Sequence, residues 1–168
     1  MNDTSGSEGH PALTDSQTGL PNQLHFGTVF EVLFATGPRG IPLTVILLEV
    51  DEYQDWISGA DPNQAARTFR SMGSALARVV RRSDILARVT ETRFALCLMD
   101  CNMAGAVLVA DRIDGLLDGI RDETGLGFSI GGASFDVEME KPGDLMGAAE
   151  EALRTARQRG INQMEFFR

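Results

Sequence analysis

The stretch that decides the fold is "VVRRSDILARVTETRFALCLMD", residues 79–100. It reads as strand, turn, strand. Two apolar segments, Ile85 to Val89 and Phe94 to Met99, flank the patch Thr90-Glu91-Thr92-Arg93. A hairpin tip usually carries Gly, Asn or Asp, because those residues tolerate positive φ. The chain has 18 glycines, yet none falls here. The pairing around this tip is antiparallel, and the tip is bulky and charged.

Working outward, "LTVILLEV" (43–50) is a continuous apolar run and reads as a central, buried strand. Helical spacing of Phe26, Val29, Phe30 and Leu33 precedes it. Between the central strand and the hairpin lies "DEYQDWISGADPNQ", read as a connection, and then a helix begun by Asp61-Pro62. That pair suits an N-cap and a first helical position. Ala65, Phe69, Met72, Leu76 and Val80 form its apolar stripe. After the hairpin, a helix from about Asn102 to Asp118 is followed by the strand "GLGFSIGGASF" (125–135). Its Gly131-Gly132 pair predicts close approach of a neighbour or a bulge. A helix from about Pro142 to Gln158, with Leu145, Ala148, Ala152 and Ala156 on one face, and a short strand "QMEFF" close the chain. The order α-β-α-β-β-α-β-α-β predicts an α/β (α+β) domain. Its sheet is mixed and mainly antiparallel, with helices on both faces. Residues 1–14 are polar and read as a flexible N-terminal tail, leaving 15–168 as one domain.

Lys plus Arg is 15 and Asp plus Glu is 24, a net charge of −9. That balance argues against a nucleic-acid polymer or an anionic membrane as partner. Any anionic ligand needs a local basic cluster, and Arg78, Arg81, Arg82 and Arg88 provide one. Cys97 and Cys101 read as reduced thiols, and two histidines give poor support for zinc. There is no signal peptide and no apolar run near the roughly 18 residues of a membrane span. A cytoplasmic protein is expected. Glu49 and Asp51 share one side of the first strand's end, where paired acids could hold a divalent metal for phosphate chemistry.

Five motifs, in order, make the chain resemble the GGDEF family of diguanylate cyclases. "DSQTGLPN" resembles D-x-L-T-G-L-x-N. "LLEVDEYQ" resembles the metal strand L-D-I-D-x-F-K. "RRSDILARVTETRFALCL" resembles R-x-x-D followed by the A-R-Y-G-G-D-E-F hairpin. "SIGGAS" resembles S-I-G-V-A, and "ALRTARQRGIN" resembles A-L-x-x-A-K-x-x-G-R-N. The resemblance implies a palm-like nucleotidyl-cyclase fold, a five-stranded mostly antiparallel sheet surrounded by helices. It also implies a role in bacterial second-messenger signalling.

The departures from the pattern imply a degenerate member. Thr90 and Glu91 stand in place of the two glycines, Thr92 in place of the metal-binding acid, and Arg93 in place of the second acid. Glu91 is one residue off, so it points to the other face of an extended hairpin. Glu49 replaces the first metal aspartate and Gln54 a lysine. Ile57 and Ala66 replace the residues that bind guanine. Arg157 keeps a cation, but Ile161 replaces an arginine. Losing metal charge, glycine turn and base contacts together implies a pseudo-enzyme with no catalytic residues, no catalytic Mg and no cofactor.

The family's inhibitory site for cyclic di-GMP, R-x-x-D, is matched by Arg81 and Asp84, with Arg112 as the completing arginine. Arginine forks suit phosphates and a guanine edge, and a carboxylate suits guanine donors. The resemblance therefore implies a cyclic di-GMP receptor acting on an unidentified protein partner in trans. A ligand-linked homodimer is also compatible with such a site. A scaffold that binds partners without nucleotide is the alternative reading, and GTP as a regulatory ligand through Glu49 and Arg157 is a third.

Overall fold

The structure, a computed structural model, describes residues 10–167. Its elements are α1 (Gln23–Phe34), β1 (Leu43–Asp51), α2 (Tyr53–Gly59), α3 (Pro62–Ala77), β2 (Ile85–Arg88), β3 (Arg93–Met99), α4 (Met103–Leu116), α5 (Asp118–Thr124), β4 (Gly127–Ser134), α6 (Pro142–Gln158) and β5 (Met164–Phe167). The strands form one sheet in the order β2-β3-β1-β4-β5. Only β4 and β5 pair in parallel; the other three pairings are antiparallel. The mixed, mainly antiparallel sheet read from the element order is the sheet observed.

Alternation along the strands divides the core. Ile46, Leu48, Phe94, Leu96, Phe128 and Ile130 face Phe69, Met72 and Leu76 of α3 and Ala106, Ala110 and Ile113 of α4. Leu43, Val45, Leu47, Ala95, Cys97 and Ala133 face Phe26, Phe30 and Phe34 of α1 and Leu145, Ala149 and Leu153 of α6. β1 is buried along its whole length because both faces are covered, which is why it reads as an unbroken apolar run. Gly131 lies in β4 directly under α6: a Cβ there would sit 2.1 Å from the Leu153 nitrogen. The neighbour that the glycine pair predicts is this helix backbone, with the Phe166 ring against Gly132.

Three local features differ from the sequence reading. The connection after β1 contains the helix α2. Glu52 turns the chain into it at φ 55, and Tyr53 packs edge-on against Phe69 with centroids 5.8 Å apart. The helix expected to end near Asp118 stops at Leu116 and is followed by α5. On α6, Leu145, Ala152 and Ala156 are buried as expected, but Ala149 rather than Ala148 joins them, and Ala148 packs half-buried at the edge. Residues 1–9 of the expected tail lie outside the described residues; Pro11–Leu13 form a 3-10 turn and Thr14 bridges Pro21.

Candidate functional site

The register of β1 and β3 places Arg93 directly opposite Glu49. Directly opposed side chains share a face, so the guanidinium meets the carboxylate. Arg93 Nε donates to Glu49 Oε2 at 2.6 Å, and Thr92 Oγ1 donates to Glu49 Oε1. Glu49 is buried, with its side chain 9% exposed. Both oxygens of this acid are therefore taken by Thr92 and Arg93.

Asp51, two residues on, shares the face of Glu49, as strand alternation predicts. It accepts from Ser129 Oγ at 2.8 Å and from the Asn162 backbone N–H at 3.1 Å. Arg157 Nε lies 3.6 Å from its other oxygen. The cation kept in the last motif thus serves as a counter-ion to Asp51. This donor set does not fit a divalent cation. Two carboxylates are present, but one is closed by a guanidinium and the other by three internal contacts. Among the described residues no group of three or more His, Cys, Asp or Glu side chains could hold a metal.

The hairpin tip is built without glycine because it needs no positive φ. None of residues 89–93 has one. Instead the Val89 and Thr90 N–H groups both donate to the Arg93 carbonyl, at 2.9 and 3.3 Å. Arg88 holds the tip from below. It is buried, with its guanidinium 4.1 Å from the centre of the Phe69 ring, and Nη2 donates to the Glu91 carbonyl at 2.6 Å. Its Nη1 reaches Gln17 and Asp15 of the opening motif. Glu91 turns away from Glu49, as its one-residue offset predicts, and accepts from Tyr53 Oη at 2.6 Å. Burial first, then this hydrogen bond, pushes the Tyr53 hydroxyl up to about 12. The cleft beside it is lined by Ile57, Ala60, Pro62 and Ala65, with Asp15 and Glu91 as its acids. Ile57 offers no side-chain hydrogen bond to a base.

On the opposite end of the hairpin, Arg81, Asp84 and Arg112 line one cavity of about 410 Å³, so the structure brings the three predicted ligand residues together. Their states differ. Arg81 has a side chain 60% exposed, and its Nη2 donates to the Met99 carbonyl at 2.9 Å. Arg112 is exposed on α4 and has no side-chain partner among the described residues. Asp84 is nearly enclosed, its side chain 2% exposed. One oxygen accepts from the Arg81 N–H at 2.7 Å and the other from the Met99 N–H at 3.0 Å. Asp84 thereby clasps the turn before β2 to the end of β3 and fixes where Arg81 projects. The family resemblance pointed to these residues but not to this clasp, because its second acceptor contact is 15 residues away along the chain. It also missed Cys101, buried in the same cavity, whose thiol is pushed up by burial.

The sequence profile described as "Diguanylate cyclase, GGDEF domain" matches residues 12–163. Diguanylate cyclase DosC of Escherichia coli strain K12 is 26% identical over 166 residues, covering 95% of this chain and 36% of that protein. The chain spans less than half the length of the curated relatives it matches first. The fold is shared with the diguanylate cyclase SiaD of Pseudomonas aeruginosa, solved in complex with its activator SiaC. There the TM-score is 0.83, with 20% identity over 93% of this chain and 62% of that one. It is also shared with the GGDEF domain of DgcB from Caulobacter crescentus in complex with c-di-GMP, with a TM-score of 0.81 and 19% identity over 94% and 97% of the two chains. A profile match over nearly the whole described chain, carried on this sheet order, makes the chain a member of the GGDEF domain family.

Proposed function

We propose that this is a catalytically inactive GGDEF domain that binds cyclic di-GMP at Arg81, Asp84 and Arg112 and relays its presence to a protein partner. The observation that carries the reading is the contrast between the two ends of the hairpin. At one end the acids are closed by internal cations. At the other, two exposed arginines line a cavity, with Asp84 enclosed behind Arg81, 3.6 Å from its Nε. Arg81 and Arg112 would hold phosphates as charge-assisted donors. Asp84, nearly enclosed and held by two backbone N–H groups, would serve the ligand by fixing where Arg81 projects. Support also comes from DgcB, whose GGDEF domain was solved with c-di-GMP, and from SiaD, solved with its activator SiaC. No helix among the described residues is long and apolar enough to cross a membrane.

Calorimetry with cyclic di-GMP on the full chain tests this reading. Saturable heat that disappears in Arg81→Ala is the expected result. No heat at tens of micromolar ligand would remove the receptor and favour a nucleotide-independent scaffold. Conversion of GTP with Mg²⁺ or Mn²⁺ would remove the inactive assignment.

A further inference from the structure

Seven of the described arginines, Arg88 and Arg93 among them, lie within ion-pair distance of an aspartate or glutamate. Arg67, Arg70 and Arg78 do not, and none of the three makes a side-chain hydrogen bond among the described residues. All three are exposed, two on α3 and the third at its C-cap. Their spacing, i, i+3 and i+11, keeps them within one narrow stripe at about 100° per residue. Ser71 and Ser74 fall on the same stripe, and with Ala75 they floor a shallow groove of about 440 Å³. From Pro62 to Ala77 the helix contains no acid. On a chain of net charge −9, this is a strip of positive charge with no acid on its own helix; the acid that lines a pocket with it, Glu123 beside Arg67, is not within ion-pair distance.

We propose that the α3 stripe docks an acidic helix of a protein partner. Three guanidinium forks over about 16 Å match carboxylates repeating on one helical face. The small side chains between them allow the backbone of a second helix to approach. A nucleic-acid strand fits less well. The overall charge repels a long polyanion, and no aromatic ring belongs to the stripe for base stacking. This inference rests on the reading of the domain as a relay to a protein, and is independent of its cyclic di-GMP site.

The test uses the full chain without cyclic di-GMP, so its failure leaves the calorimetric reading standing. The probe is a fluorescein-labelled, alanine-based helical peptide with glutamates on one face. Fluorescence anisotropy at about 50 mM salt is expected to saturate, and to weaken as salt rises to about 300 mM. The triple variant Arg67→Glu, Arg70→Glu, Arg78→Glu is expected to lose at least about tenfold in affinity, while Arg39→Glu, an exposed arginine elsewhere, loses little. A peptide of equal composition with its glutamates scattered around the helix should bind at least about fivefold more weakly. Absence of saturation, equal binding of the two peptides, an unaffected triple variant, or tighter binding of an RNA duplex would each overturn the proposal. Circular dichroism of the variants confirms that the loss is not unfolding.

Discussion

Arg93 and Glu49 are cross-strand partners, opposed in the β3–β1 register and joined by a 2.6 Å charge-assisted hydrogen bond. Removing the guanidinium leaves a buried carboxylate with one hydroxyl donor. Arg93→Ala is expected to destabilise the fold by about 1–3 kcal/mol, read as a lower urea midpoint at constant m-value. Arg93→Lys should recover only part of this, since a single ammonium lacks the planar fork.

The same pair predicts how the family site responds to repair. The combined variant Thr90→Gly, Glu91→Gly, Thr92→Asp, Arg93→Glu removes the internal cation and adds two carboxylates beside Glu49 and Asp51. Gain of Mn²⁺ binding over wild type, followed by electron paramagnetic resonance, is expected. GTP turnover should stay absent in this variant, because Ile57 and Ala66 still offer no hydrogen bond to the base. Turnover after hairpin repair alone would show that those two positions do not matter.

At the other end of the hairpin, the two arginines and the aspartate should separate experimentally. Arg112→Ala is expected to lower cyclic di-GMP affinity by about tenfold or more with unchanged thermal stability, as fits an exposed charge-assisted contact. Asp84→Ala should lower both. It strands the Arg81 and Met99 N–H groups, and the expected loss of stability is about 1–3 kcal/mol. Asp84→Ala with wild-type melting would contradict the clasp.

Gly131→Ala tests the packing of α6 on the sheet. The new methyl would meet the Leu153 backbone rather than a movable side-chain end. A loss of about 1–3 kcal/mol is expected, measured by denaturant titration. Gly147→Ala, on the same helix with nothing within 4 Å of its Cβ position, should be neutral or stabilising.

Alkaline pH offers a further check. Burial and the nearby Asp84 charge push the Cys97 thiol from 9.0 up to about 12, and Tyr53 moves from 10.0 up to about 12. Both groups hold in the fold a proton that the unfolded chain releases at lower pH. Stability is therefore whole below about pH 9 and falls as pH rises from 9 towards 12. Cys97→Ala should flatten this slope in urea titrations at stepped pH.

The sequence by itself determined the sheet, the family and the residues to examine. Hydrophobic alternation and a hairpin between two apolar runs leave few ways to bury both faces of β1. The resemblance to the family's R-x-x-D pattern singled out Arg81, Asp84 and Arg112 as candidate ligand residues. Local readings failed where the deciding contact is distant. α2 forms because Tyr53 finds Phe69, and Glu52 supplies the positive φ that no composition signal announces. The tertiary structure alone decided what the substituted residues do. It made Arg93 the counter-ion of Glu49, since register sets which charges face each other. It also turned Asp84 inward as a backbone acceptor, since a nearly enclosed carboxylate must satisfy its oxygens from whatever donors the fold brings to it.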